Sequence, residues 1–198
     1  MRPQRLLVAT HNAGKLEEFR QLLTPLGIEV VGAAEMDLAE PEETGTTFVE
    51  NARIKAEAAM AATGLPALAD DSGLEVDALD GAPGVYTADW AEGPGGRDFL
   101  RAMERTHREL TARAAPQPWT ARFCCTLALA NPDGTEQIHE GRAEGQLVWP
   151  LRGKLGHGYD PMFQPEGHAL TFAEMTTEAK NAISHRAKAL KSFLGALG

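Results

Sequence analysis

The stretch Arg5-Leu6-Leu7-Val8-Ala9-Thr10-His11-Asn12-Ala13-Gly14-Lys15 decides the fold class. Residues 5–9 are an apolar run of strand length, and the small polar residues after them read as a turn. Leu16, Phe19, Leu22, Leu23 and Leu26 then recur at helical spacing, and Gly27 is placed to end that helix. Strand, tight turn, helix is the opening of an α/β chain. Outward from it, residues 28–31 predict a second strand, and Thr47 with Glu50 forms a capping box for a second helix that runs through an alanine-rich stretch to Gly64. Residues 65–69 predict a third strand, which delivers Asp70-Asp71 to a turn at Ser72-Gly73.

The rest of the chain keeps to the mixed class. Residues 75–96 are rich in Gly and Pro and read as a long ordered loop, followed by a charged helix over 98–113. Residues 122–130 and 136–148 predict two strands joined at Asn131-Pro132-Asp133-Gly134, an antiparallel hairpin. A Gly-rich segment follows over 151–161. A closing helix starts near residue 178, with Ile183, Ala187, Leu190 and Leu194 on its apolar stripe. The 198 residues suit one α/β domain, 1–198, of two lobes.

Composition excludes several classes of function. A net charge of −9 argues against a polymeric nucleic-acid partner, whose binding rests on basic patches, but leaves room for a small phosphorylated ligand. No apolar run approaches a transmembrane length, and residues 6–9 are too short for a signal-peptide core, so a cytoplasmic protein is expected. Cys124 and Cys125 are neighbours whose side chains would leave a strand on opposite faces, so they read as two reduced thiols with no zinc spacing.

Four segments carry chemistry. Backbone N–H groups at the start of the first helix can point at an anion, with the Thr10 hydroxyl, the Asn12 amide and the Lys15 charge beside them; Asn12 reads equally as an ordinary N-cap. Asp70 and Asp71 repel each other; the pair taken alone reads as a solvated acidic turn, and the functional reading is that it binds a divalent cation and deprotonates water. The acidic loop at Glu42-Glu43 can add a carboxylate to that cation. Gly156-His157-Gly158-Tyr159-Asp160-Pro161 offers flexible backbone and two flat rings suited to a nucleobase, or else a turn with Tyr159 packed inward. Lys180 and Ser184 lie one helical turn apart on the predicted last helix, with His185 and Arg186 next to that face.

Taken in order, residues 10–15, 42–45, 48–52, 69–74, 81–86, 158–161 and 184–186 resemble the motifs of the Ham1/RdgB family of inosine triphosphate pyrophosphatases, and the match runs from about residue 6 to 194. The resemblance implies a homodimer of elongated α/β subunits, each with a mixed central sheet flanked by helices and an active site in a cleft between two lobes. It implies Mg²⁺-dependent hydrolysis of the non-standard purine nucleotides ITP, dITP and XTP to the monophosphate and pyrophosphate. It assigns Thr10, His11, Asn12, Ala13, Gly14 and Lys15 to the triphosphate, and Asp71, supported by Asp70, to water and metal. Ser72 goes to substrate, and Glu42 or Glu43 to the metal. His157, Gly158, Tyr159, Asp160, Lys180, His185 and Arg186 then line the nucleotide site.

Two positions depart from the commoner pattern: His157 stands where many relatives carry Phe, and His11 where several carry Gly. Base choice is expected to follow hydrogen-bond sign, since donors from the His157–Asp160 loop and from His185 and Arg186 satisfy an acceptor O6 and leave adenine unmatched. Alternatives are a Maf-like pyrophosphatase acting on pyrimidine or modified bases, and a nucleotide-binding protein without catalysis.

Overall fold

The computed structural model describes residues 3–11 and 13–197. The opening run forms strand β1, Arg5–Val8, and helix α1, Ala13–Leu23, follows it. Leu16, Phe19 and Leu23 turn inward, while Leu22 stays partly exposed. The helix ends earlier than its leucine spacing predicts: Pro25 forces the chain into a short 3₁₀ turn at Thr24–Leu26, closed by Gly27 in the left-handed region. Strand β2, Glu29–Gly32, then returns parallel to β1, with Leu7 opposite Val31.

Helix α2, Phe48–Thr63, starts as the capping box predicts. The Thr47 hydroxyl accepts the Glu50 N–H, and the Glu50 carboxylate accepts the Thr47 N–H. Its inner face is Phe48, Asn51, Ala52, Lys55, Ala56 and Ala59. Methyl side chains let this helix lie close to its neighbours, and Ala52 and Ala56 pack with Ala69, Ala128 and Ala130.

Strand β3, Ala67–Val76, is twice the expected length. It runs through the acid pair and through Ser72-Gly73, where a turn was expected, because Leu74 and Val76 beyond them are buried core residues. Strand β4, Pro83–Gly84, lies antiparallel to it, with Leu74 opposite Gly84, so the expected loop holds a strand and two 3₁₀ turns. Helix α3, Phe99–Ala112, is capped by the Asp98 carboxylate on the Leu100 N–H. Strands β5, Trp119–Ala130, and β6, Glu136–Leu147, form the predicted hairpin, whose turn is closed by Gly134 N–H to Asn131 O at 3.0 Å. Strand β7, Phe163–Pro165, adds an antiparallel edge to β6.

The expected closing helix is two helices, α4, Thr177–Ile183, and α5, His185–Ala196. Ser184 between them is extended and caps α5, its hydroxyl accepting the Ala187 N–H. Lys180 therefore belongs to a different helix from His185 and Arg186.

The sheet order is β2-β1-β3-β5-β6-β7, with β4 on β3. The chain divides into two compact units, and three strands carry residues of both. One unit holds the chain up to Asp71, Thr126–Glu140 and Ala189 onward; the other holds Ser72–Cys125 and Gly141–Lys188. The first has the alanine-rich core around α2 and Leu7. The second is built on larger side chains, among them Leu74, Trp119, Phe123, Tyr159, Phe163 and Phe172.

Candidate active site

In the first unit, β2 and β3 lie on opposite sides of β1, and both pair with it in parallel. The carboxyl end of β1 is thus the point where the winding reverses, the place where such sheets take ligands. Thr10, buried, and His11, exposed, leave the strand there. Ala13, Gly14 and Lys15 form the first turn of α1, and the positive end of a helix dipole favours an anion. Asn12 lies outside the described residues.

The Ala9 N–H bonds Leu68 O at 2.8 Å, which places Asp70 and Asp71 just past the point where β3 leaves β1. Lys15 Nζ reaches Asp70 Oδ2 at 2.6 Å, and the Asp70 side chain is only 5% exposed. Of the two carboxylates, Asp70 is the one that meets Lys15.

Asp71 has a different partner. Lys55 Nζ donates to Glu43 Oε1 at 2.8 Å and to Asp71 Oδ1 at 3.4 Å. Burial pushes the Asp71 carboxyl up to about 6, opposed by the Lys55 charge and reinforced by Glu43 and Asp70. Burial disfavours the charge on Lys55, but Asp71 and Glu43 more than offset this and its pKa is raised. Both glutamates, Glu42 and Glu43, are exposed, and Glu43 is the one paired with the lysine that also reaches Asp71.

Lys55 was missed by the sequence reading, although a signal exists. It falls in the buried register of α2, between Ala52 and Ala59, where a solvated lysine has no place.

Among the described residues no three His, Cys, Asp or Glu side chains are already gathered as a metal cage. The donor set nevertheless fits a hard cation. Asp71 Oδ2 is buried with no hydrogen-bond partner among the described residues, and the carboxylates nearby supply the oxygen ligands that Mg²⁺ prefers.

The second unit gathers the remaining candidates. Ser72 Oγ, next along β3, is buried and has no hydrogen-bond partner among the described residues. Asp160, 2% exposed, accepts the His157 N–H at 2.8 Å and the Lys180 ammonium at 2.5 Å. Gly156 makes this possible, since its backbone is left-handed and a Cβ there would collide with the Asp160 carboxylate. Lys180 also lies over the Phe172 ring at 5.4 Å, and the His185 ring stacks on Phe123 with centroids 4.9 Å apart. Phe123 and Phe172 stack in turn, so Lys180 and His185 flank one aromatic pair. Arg186 follows His185 in the first turn of α5.

Of the two readings of Tyr159, the structure has the ring packed inward and not open to a base. It is buried edge-on against Phe99, and burial pushes its phenol up, so it anchors the loop instead. His157 is the exposed ring of the segment, with Gly158 half-buried beside it.

A helix start at the end of a parallel strand, next to paired acids and two lysines, is an arrangement suited to phosphate in an α/β protein. The chain belongs to the Ham1 family, whose model matches residues 6–196. It is 66% identical over 189 residues to a dITP/XTP pyrophosphatase of Ruegeria pomeroyi, with 96% of this chain and 93% of that protein covered. A dITP/XTP pyrophosphatase of Rhizobium meliloti is 55% identical, with 95% and 93% covered. Among solved structures, a Ham1 protein from Coxiella burnetii superposes with a TM-score of 0.92 at 40% identity, covering 98% of each chain.

Proposed function

We propose that this chain hydrolyses the non-standard purine nucleoside triphosphates ITP, dITP and XTP to the monophosphate and pyrophosphate. The observation that carries this reading is the meeting of Asp70 and Asp71 with Lys15, Lys55 and Glu43 at the end of β1. The dITP/XTP pyrophosphatases at 55% and 66% identity support the substrate class. The first turn of α1 and Lys15 take the phosphate chain, the helix end supplying N–H donors and the lysine a charge that stabilises the leaving pyrophosphate.

Asp71 accepts the proton of the attacking water. An acceptor raised to about 6 stays ionised at neutral pH while remaining basic enough to take a proton. Asp70 holds Lys15 in place. Mg²⁺ is the proposed cofactor: Glu43 and Asp71 would hold it, and it would neutralise charge on the phosphate oxygens. The reading extends to a cytoplasmic homodimer, on the strength of the family motifs in the sequence.

Base selection falls to the second unit. The His157 N–H already serves Asp160, so it is not the donor to O6. Lys180 has three donor hydrogens, more than Asp160 takes up, which supports it as a donor to the purine O6. Pyrophosphate release from ITP, XTP, dITP, ATP, GTP, UTP and dTTP tests the proposal. Turnover of the first three is expected to exceed the rest, and a preference for ATP or a pyrimidine nucleotide would refute it.

A further inference from the structure

We propose that Lys55 is a tethered counter-ion that competes with the divalent cation for Glu43 and Asp71, so that cation entry and lysine release are a single exchange step. The inference rests on the reading of Glu43 and Asp71 as metal ligands, and goes beyond it by assigning the lysine that guards them.

Three observations carry it. First, the ammonium donates to one oxygen of each of the two carboxylates, Glu43 Oε1 and Asp71 Oδ1. A dication on those oxygens and an ammonium on the same oxygens repel, so the two positive charges cannot share them at full occupancy. Second, Asp71 Oδ2 has no partner among the described residues, which leaves one carboxylate oxygen on which a cation lands before the lysine has gone. Third, Lys55 has somewhere to go. It lines a cavity of about 210 Å³ bounded also by Ala9, His11, Leu38, Pro41 and Ala59, with room for a four-carbon stem to swing. The cavity adjoins the turn after β1, so a displaced ammonium moves toward the phosphate-binding end.

The exchange has a directional consequence. A lysine that merely braces the fold would, on removal, loosen Glu43 and Asp71 and weaken cation binding. A competing lysine would, on removal, leave the same acids uncompensated and strengthen it.

Calorimetric titration of the metal-free protein with Mn²⁺ alone separates the two. Lys55→Met is expected to bind Mn²⁺ at least tenfold more tightly than wild type, whereas Lys55→Arg, which keeps the charge, stays within about threefold of it. Lys55→Gln serves as a second neutral variant should the methionine variant fail to fold, and near-ultraviolet circular dichroism reports the fold of each. Equal or weaker Mn²⁺ binding in the folded neutral variants overturns the exchange. Asp71→Asn supplies the separate control: if it leaves Mn²⁺ binding by wild type unchanged, the metal reading itself fails, and the exchange with it.

Discussion

Asp71 carries its charge at a cost to stability. Its folded carboxyl titrates near 6 against an ordinary value of 3.8, burial being the main cause. Between those values the folded chain holds a proton that the unfolded chain has lost, so stability falls as pH rises through that window, and the deficit is complete above pH 6. Asp71→Asn removes the ionisation. It is expected to stabilise the metal-free protein at pH 7.5 by about 1–3 kcal/mol while lowering ITP turnover at least a hundredfold. Thermal unfolding and pyrophosphate release read the two effects, and a variant that is both less stable and fully active would contradict the assignment.

Lys180 sits opposite in logic: its ammonium lies over the Phe172 ring, and under the proposed function it serves selection rather than chemistry. Lys180→Ala leaves the buried Asp160 carboxylate without that partner. Steady-state kinetics on ITP and ATP is expected to show the ITP preference falling about tenfold, mostly through KM. Single residues were unevenly legible in the sequence. Asp70, Asp71 and Lys15 stand in short polar motifs that break apolar runs and so announce themselves. Lys55 is hidden in an alanine helix, and only the register of the buried face reveals it.

Elements were legible where a local signal agreed with the packing. Thr47 and Glu50 marked the start of α2, and the reciprocal bonds are present. Thr47→Ala is expected to cost about 1 kcal/mol, read as a shift of roughly 2–4 °C in the unfolding midpoint. Local signals failed where distant contacts overrode them. Asp70-Asp71-Ser72-Gly73 reads as a turn, yet Leu74 and Val76 pull the strand onward into a core the sequence does not display. Ser184 reads as a helical residue, but its hydroxyl competes for backbone N–H groups and restarts the helix.

The last helix is tied to β6 through His139, whose Nδ1 lies 3.0 Å from Ser192 Oγ and whose ring meets Phe193 edge-on. Burial lowers the His139 pKa below its usual 6.5. The unfolded chain then takes up a proton more readily, so stability is intact above about pH 6.5 and declines as pH falls through that value. The unfolding midpoint is expected to drop between pH 7.5 and 5.5, and by less in His139→Gln. An equal drop in both would assign the acid sensitivity elsewhere.

At the scale of the whole molecule, an acidic chain with a net charge of −9 is expected to act on a triply or more negatively charged substrate. Net charge governs long-range approach, whereas under the proposed function binding rests on local cations such as Lys15. The α/β class and the strand-turn-helix opening could be read from periodicity alone. Where the boundaries of the two compact units fall could not, because β3, β5 and β6 each carry residues of both and no linker marks the boundary. The charges at the end of β1 and the aromatic pair with Lys180 belong to different units, so the sequence order of the motifs, and not their separate chemistry, joined them in one reading.

The proposed function draws on both. With Mg²⁺ present, pyrophosphate release from ITP and ATP by wild type, Asp71→Asn and Lys15→Ala measures it most directly. The expected result is rapid release from ITP by wild type, slow release from ATP, and near-complete loss of ITP turnover in both folded variants. ATP turned over faster than ITP, or full activity in Asp71→Asn, would contradict the proposed function.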